Sequence, residues 1–315
     1  MIARGDGPGS RGAADAVRLD QRADRRGVGR PGRCGQALAE RFRALVISCG
    51  AALANLRLAA AALGAALRVS VLPKPADRDL LAQIQWLGAG PEAPDSSAVL
   101  QAMSSRRTTR RGFAPEPLPA EAKEAATRAA RQDGDTTLHW ASDAARKHAL
   151  ALLVAEGDRI QMADPAFRRE LADWVHSRRA ASRDGMSGAA FGMPDLLSFA
   201  GALVIRTFDM GEGQAAHDLA LAEGSPALAV LTTPGDAPRD WMAVGEAMER
   251  VLVRLAMDGL TYSYLNQPIE VPALRPRLVE ALGTAEAPQI LIRVGRALRG
   301  VPSAVRRPVG EVLQG

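Results

Sequence analysis

Residues 240–270 read DWMAVGEAMERVLVRLAMDGLTYSYLNQPIE. Apolar residues recur at helical spacing from Met242 to Met257, and Pro238 stands where a first helical turn tolerates proline. The spacing predicts an amphipathic helix over Pro238–Met257, with Glu246, Arg250 and Arg254 four apart along one charged face. Gly259 ends it, Leu260–Leu265 alternates Tyr262 and Tyr264 as a strand, and Pro268 closes the unit.

The same unit recurs 195 residues earlier. Gly50/Gly245, Ala52/Ala247, Leu53/Met248, Leu56/Val251, Leu58/Val253, Ala61/Ala256, Gly64/Gly259 and Pro73/Pro268 all keep that offset. Matching classes at a fixed separation predict an internal duplication, each copy running helix, glycine, alternating strand, proline, helix. The earlier helix, from Ala44 to Gly64, is nearly all alanine and leucine, so it is expected where the two halves meet. Its strand alternates Leu67, Val69 and Val71, and Asp77–Leu87 is expected as an amphipathic helix.

Outward from these units, helices are predicted over Ser96–Ser105, Leu118–Ala130, Asp143–Met162 with Asp143 as N-cap, 164–176, 213–222 and Ala273–Leu282. Strands are predicted over Thr136–Trp140, Leu203–Phe208, Ala227–Thr233 and Gln289–Val294. The fold class is therefore α+β, a mixed and mostly antiparallel sheet flanked by helices. Arg178–Leu196 has no periodicity and reads as a long functional or mobile loop. Residues 1–40, rich in Arg and Gly, carry too little apolar surface to offset ordering entropy and are expected to be disordered.

The net charge of +5 sits mostly in residues 1–33, where eight Arg face four Asp. The nearly neutral body argues against a nucleic-acid partner. Cys34 and Cys49 form no disulfide framework, which points to a reducing cytoplasm, and Cys49 in an apolar helix reads as a core thiol. Asn55, Arg57 and Arg68 break the apolar run Ala44–Leu72, so no membrane span is expected. His139, His148, His176 and His217 share no ligand spacing, and no metal site is expected.

Between the predicted helix ending at Ser105 and a turn of three prolines lies SRRTTRRGF, residues 105–113. Its donor density suits an anion. In an extended backbone Arg107, Thr109 and Arg111 would point the same way, offering two guanidiniums and a hydroxyl to one ligand. Read without context, the same stretch is also a solvated basic linker.

RRTTRRGF, the 240–270 unit, APQILIRVG and the terminal RRPVGEVL together resemble the FMN-dependent nitroreductase family, over about residues 44–315. The likeness is to its tandem, Acg-like branch, in which one chain carries two nitroreductase-like halves that imitate a homodimer. That resemblance implies FMN as cofactor, NAD(P)H as electron donor and a nitroaromatic or quinone-type acceptor, with no catalytic side chain needed because the flavin carries the chemistry. It assigns cofactor binding to Arg107, Thr109 and Arg111 near the start of a half, to Arg306 with Arg307 beside the terminal Pro, and to Asn266 and Gln267 at the flavin's reactive edge. It further implies a lid near 178–200, a remnant first half over 41–95 and a second half over 96–315, pseudo-dimeric within the chain, with a homodimer left open. The counterpart of Arg107 would fall before residue 1, and the family's Pro-Ser-x-x-Asn-x-Gln-Pro-Trp segment does not occur in the chain. A non-catalytic, FMN-sequestering stress protein and an inactive truncated homologue therefore stay open beside the enzyme.

Overall fold

The computed structural model describes residues 2–3, 18–19, 35–74, 76–132, 134, 136–176, 186–187, 207, 209–300, 308, 310 and 313–314. Its centre is a four-stranded antiparallel sheet in the order β3 (Thr137–Ala141), β4 (Ala227–Thr233), β6 (Ala287–Gly295) and β5 (Thr261–Tyr264). Trp140 lies opposite Ala229, Val230 opposite Leu291, and Ile292 opposite Tyr264. Strand β4 is buried at every position, which its unbroken ALAVLTT composition anticipates. Alternate residues serve opposite faces. Ala227, Ala229 and Leu231 pack in one core with Leu138, Ile290 and Ile292, while Leu228 and Val230 pack in another with Leu291.

The first core is covered by α3 (Ala120–Arg131) and α7 (Pro238–Met257), the second by α4 (Ala144–Ala163), α8 (Gln267–Glu270) and α9 (Arg275–Leu282). Helix α6 (Gly211–Glu223) lies against α4, and α5 (Pro165–Trp174) follows α4 after a short break at Asp164. Asp143 caps α4 as expected, its carboxylate accepting from the Arg146 N–H at 2.8 Å. Leucines at 150, 274 and 278, each at most 1% exposed, close the second core.

Helix α7 departs from its predicted role. Three of its charged residues do not face solvent: Glu246 and Arg250 are 7% exposed and Glu249 only 2%. Each serves a different neighbour. Glu246 pairs with Arg57 of α1 (Gly35–Ala62) at 2.8 Å, Glu249 pairs with Arg106 at 2.6 Å, and Arg250 Nε donates to the Ala129 carbonyl of α3 at 3.0 Å. A helix enclosed by a sheet on one side and three helices around it must satisfy its polar groups internally, so α7 and not α1 is the enclosed central helix.

Helix α1 lies across α7 at Gly50 and Gly245. A Cβ on Gly50 would overlap the Met242 carbonyl oxygen and lie 3.1 Å from Gly245 Cα. A Cβ on Gly245 would overlap the Ile47 carbonyl oxygen and lie 3.0 Å from Gly50 Cα. The helix begins at Gly35, ahead of its apolar run and inside the stretch expected to be disordered. Its segment Phe42–Ala62 is, by length and composition, apolar enough to cross a membrane, and a third of it is buried, against α7 and β2 (Ala82–Ala89). Phe42 meets the Trp241 ring edge-on at 5.8 Å, and Arg43 donates to the Gln289 carbonyl at 3.1 Å.

The helix expected over 77–87 is instead strand β2, paired antiparallel with β1 (Ala65–Val71). Val69 faces Ile84 and Val71 faces Ala82, so the Ala82, Ile84 alternation outweighs the helical spacing of Leu80, Leu81, Ile84 and Leu87. The pairing satisfies backbone groups of β1, which has no other strand partner among the described residues. It also breaks the predicted repeat, whose later copy continues after Pro268 into α9. Apart from Thr207, which is helical, the strand expected over 203–208 lies outside the described residues, as does most of 178–200. Val175–His176, expected as the end of a helix, pairs in parallel with Met186–Ser187.

Candidate functional site

The basic stretch leaves α2 (Ser96–Ser105) and runs along the outer edge of β5. Thr108 bridges Tyr262 in parallel, the Thr109 N–H donates to the Tyr262 carbonyl at 2.9 Å, and Thr261 Oγ1 donates to the Arg107 carbonyl at 2.5 Å. Farther on, Phe113 bridges Ala297 and the Ala114 N–H reaches the Arg296 carbonyl at 2.9 Å. The segment thereby extends the sheet by an irregular fifth strand and covers an edge that would otherwise be open.

Its arginines have unequal tasks. Arg106 is bound on both sides, Nη1 donating to the Tyr262 hydroxyl at 2.8 Å while Nε pairs with Glu249. Burial opposes its charge, but Tyr262, Glu249 and Tyr264 outweigh burial and hold its pKa above the ordinary arginine value. Arg107 turns back on α2, Nη1 donating to the Ser104 and Arg106 carbonyls at 2.7 and 2.8 Å, which satisfies the open C-terminal end of that helix. Arg110 is half-buried, and burial lowers its pKa. Arg111 is exposed.

Thr109 does not share a face with its neighbours. It is 5% exposed, and its hydroxyl accepts the Arg111 N–H at a long 3.5 Å. A regular strand would align residues 107, 109 and 111, but only Thr108 and Phe113 are bridged, and the chain bends at Arg111. What keeps the segment in place is a residue the sequence reading passed over. Arg293, in the centre of β6 and 1% exposed, donates Nη1 to the Arg111 carbonyl at 2.9 Å and Nη2 to the Thr109 carbonyl at 3.1 Å. Its guanidinium stands 4.6 Å from the centroid of the Phe113 ring. That ring in turn rests on Gly295, where a Cβ would lie 2.5 Å from Phe113 Cγ.

At the far end of β5, Asn266 and Gln267 are drawn inward. Asn266 Oδ1 accepts the Leu291 N–H at 2.9 Å. Gln267 Nε2 donates to Asp158 Oδ1 and to Asp218 Oδ2, each at 3.0 Å, and its Cβ sits where a side chain on Gly157 would go. The amide therefore bridges two carboxylates carried by α4 and α6. Both are buried, Asp158 at 4% and Asp218 at 8% exposure. The clue in the sequence was a Gly-Asp pair inside the apolar run ALLVAEGDRI. Burial, then the neighbouring Asp218 carboxylate, push Asp158 up to about 7.

This carboxylate has a testable consequence. Its folded pKa lies above the unfolded value, so Asp158 holds its proton in the folded chain while the unfolded chain has released it. The contribution of Asp158 to stability is therefore fully present below about pH 4 and is lost as pH rises toward about 7, with a one-proton slope of about 1.4 kcal/mol per pH unit. Asp158→Asn should flatten that slope in urea titrations between pH 4.5 and 7.5. An unchanged slope would show that Asp158 is ionised throughout.

Arg306 and Arg307 lie outside the described residues, as does Cys34. Cys49 is half-buried against the α1–β2 core, as expected of a core thiol. Among the described residues no cluster of His, Cys, Asp and Glu could hold a metal ion. Clefts of about 250 and 440 Å³ open around Lys147, and residues 105–113 line neither.

No family model matches the chain. It is 30% identical over 283 residues to "Putative NAD(P)H nitroreductase Rv3131" of Mycobacterium tuberculosis H37Rv, an alignment covering 86% of this chain and 77% of the relative. The chain belongs to the nitroreductase family. "Uncharacterized protein Rv3127" of the same organism is 29% identical across 86% of this chain and 78% of that protein. The nitroreductase named acg is 26% identical across 86% and 80%. Among solved structures, the FMN-dependent nitroreductase NfnB of Mycobacterium smegmatis in complex with NADPH aligns at 18% identity, TM-score 0.42, over 70% of this chain and 98% of its own. Iodotyrosine deiodinase bound to FMN and 3-iodo-L-tyrosine aligns at 15% identity, TM-score 0.45, over 67% and 96%. The antiparallel sheet between helical layers is a nitroreductase-like α+β arrangement.

Proposed function

We propose that the protein is an FMN-dependent NAD(P)H oxidoreductase acting on nitroaromatic or quinone-type acceptors. The observation that carries this reading is the basic stretch held as an extra strand along β5, in a chain 30% identical to a relative named as an NAD(P)H nitroreductase. The donor set fits a phosphate ester. Arg111 is exposed on a backbone fixed at both ends, and Arg107 stands at the end of α2 with Nη1 already placed. With Arg306 and Arg307 they would balance the dianionic charge of the phosphate, and the Thr109 backbone would set its depth. Asn266 and Gln267, fixed by Leu291 and by the two carboxylates, would give the opposite end of the pocket a rigid wall. Bound flavin supplies the hydride chemistry, and the side chains only orient it and exclude water.

The duplicated architecture belongs to the same reading. Gly50 meets Met242 and Gly245 meets Ile47, and both members of each contact differ from the other contact by 195. Such reciprocity is what a two-fold relation between matching helices produces, and it supports a pseudo-dimer within one chain, with 41–95 as one part, 96–315 as the other and a lid near 178–200. A cytoplasmic location, where NAD(P)H is available, goes with this reading.

The test is spectroscopic. The purified protein should carry bound FMN absorption near the blue edge of the visible, and anaerobic addition of NADPH or NADH should bleach it. Flavin that stays bound and oxidised would assign the protein to FMN sequestration instead. Protein that retains no flavin when saturated with FMN would sink both readings.

A further inference from the structure

A fully buried arginine is costly unless something depends on it. Arg293 is 1% exposed, and its Nε finds no acceptor among the described residues. No ion pair joins it to a described carboxylate, although Asp218 acts on it through space and partly offsets the burial that lowers its pKa to about 10. It stays charged at neutral pH. An apolar residue of similar length would fill the same place in β6 at no desolvation cost, so packing alone does not account for a guanidinium there.

The guanidinium's hydrogen bonds show what it does. Both go to carbonyls of the basic stretch, Thr109 and Arg111, two residues apart and on the same side of the segment. Three guanidiniums, of Arg107, Arg110 and Arg111, crowd this short stretch and repel one another. Turned outward, the two carbonyl oxygens would neutralise part of that positive field and would repel an anion directly. Turned inward on Arg293 they cannot. Phe113, stacked on the same guanidinium and seated on Gly295, fixes the stretch at its far end.

We propose that Arg293 is a positioning residue for phosphate recognition: it withdraws the Thr109 and Arg111 carbonyls so that the outer edge of the basic stretch offers only donors to the phosphate of FMN. This rests on the flavin reading above. It makes a prediction that a purely structural role does not share, because FMN and riboflavin differ only by the phosphate. Losing the Arg293 bonds should weaken the first and spare the second.

Apo-protein would be titrated with FMN and with riboflavin, following quenching of flavin fluorescence, for the native chain, Arg293→Met and Arg293→Lys. The native chain should bind FMN more tightly than riboflavin. Arg293→Met should lose about tenfold or more in FMN affinity, in keeping with two hydrogen bonds from a charged donor, while riboflavin affinity stays within about twofold. Arg293→Lys, which keeps the charge but not the fork, should fall between, and it decides the matter alone if Arg293→Met does not fold. Equal losses for both flavins, or FMN affinity unchanged in both variants, would overturn the role of Arg293 and leave the flavin reading intact. A native chain that binds the two flavins equally would instead remove the phosphate site itself.

Discussion

Replacing Gly245 by alanine should destabilise the protein by about 3 kcal/mol or more, although the same change in an open helix stabilises by about 1 kcal/mol. The added Cβ would enter the Ile47 carbonyl oxygen and press within 3.0 Å of Ala51 N and Gly50 Cα. All three are backbone atoms inside a helix and cannot rotate away. Helix α1 would have to lift from α7, and with it would go the Arg57–Glu246 pair and the core formed by Val46, Leu53, Leu81 and Met242. Gly50→Ala should behave alike, because its Cβ would enter the Met242 carbonyl. The double substitution should cost less than the two singles together, since the first displacement already opens the space the second needs. Gly213 of α6, with nothing within 4 Å of its Cβ position, is the internal control, and Gly213→Ala should be neutral or stabilising. Urea titrations of the four variants decide this. Gly245→Ala within about 0.5 kcal/mol of the native chain would mean that α1 does not cross α7 there.

Arg106→Ala should be the most damaging change in the basic stretch, costing about 3 kcal/mol. It breaks the ion pair with Glu249, whose carboxylate is 2% exposed on the enclosed face of α7, and it removes the donor from Arg106 to the Tyr262 hydroxyl. Breaking a buried ion pair by removing one member typically costs about 3–5 kcal/mol, and the lower end is expected because the Arg106 side chain keeps 21% exposure and the pair is partly screened. Adding Glu249→Gln to Arg106→Ala removes the buried charge and should return more than half of the loss. Arg111→Ala, at an exposed position of the same stretch, should change stability by less than about 0.5 kcal/mol. If Arg106→Ala also proved that mild, or if Glu249→Gln gave no recovery, the pair would be solvated and the segment would owe its place to backbone bonds alone.

These contrasts within one stretch show how far residue types could be read. Four arginines in six residues announce an anion site or a basic linker, and composition treats them alike. The fold does not. Arg106 is consumed by Glu249, Arg107 partly by α2, and only Arg111 is exposed, because the stretch runs along β5 and each position meets a different neighbour. Gln267 was legible as a polar residue after a strand. Its binding to Asp158 and Asp218 was not, since those carboxylates lie 109 and 49 residues away in sequence.

The helices and strands around Ala120–Leu282 were largely fixed by short-range patterns: the Asp143 cap, the unbroken apolar run of β4, the glycine after α7 and the proline that opens α7. These signals are local, so the chain carries them wherever its neighbours are. The offset of 195 also stood in the sequence, because matching residue classes are visible without coordinates. Tertiary structure alone decided the rest. It paired 82–89 with 65–71, because an unpartnered strand must satisfy its backbone groups and outvotes a helical spacing. It placed α7 at the centre with Glu246, Glu249 and Arg250 buried, since burial depends on what surrounds a helix and not on the helix. It also set Arg293 beneath the basic stretch, a contact across 182 and 184 residues that no window of sequence contains.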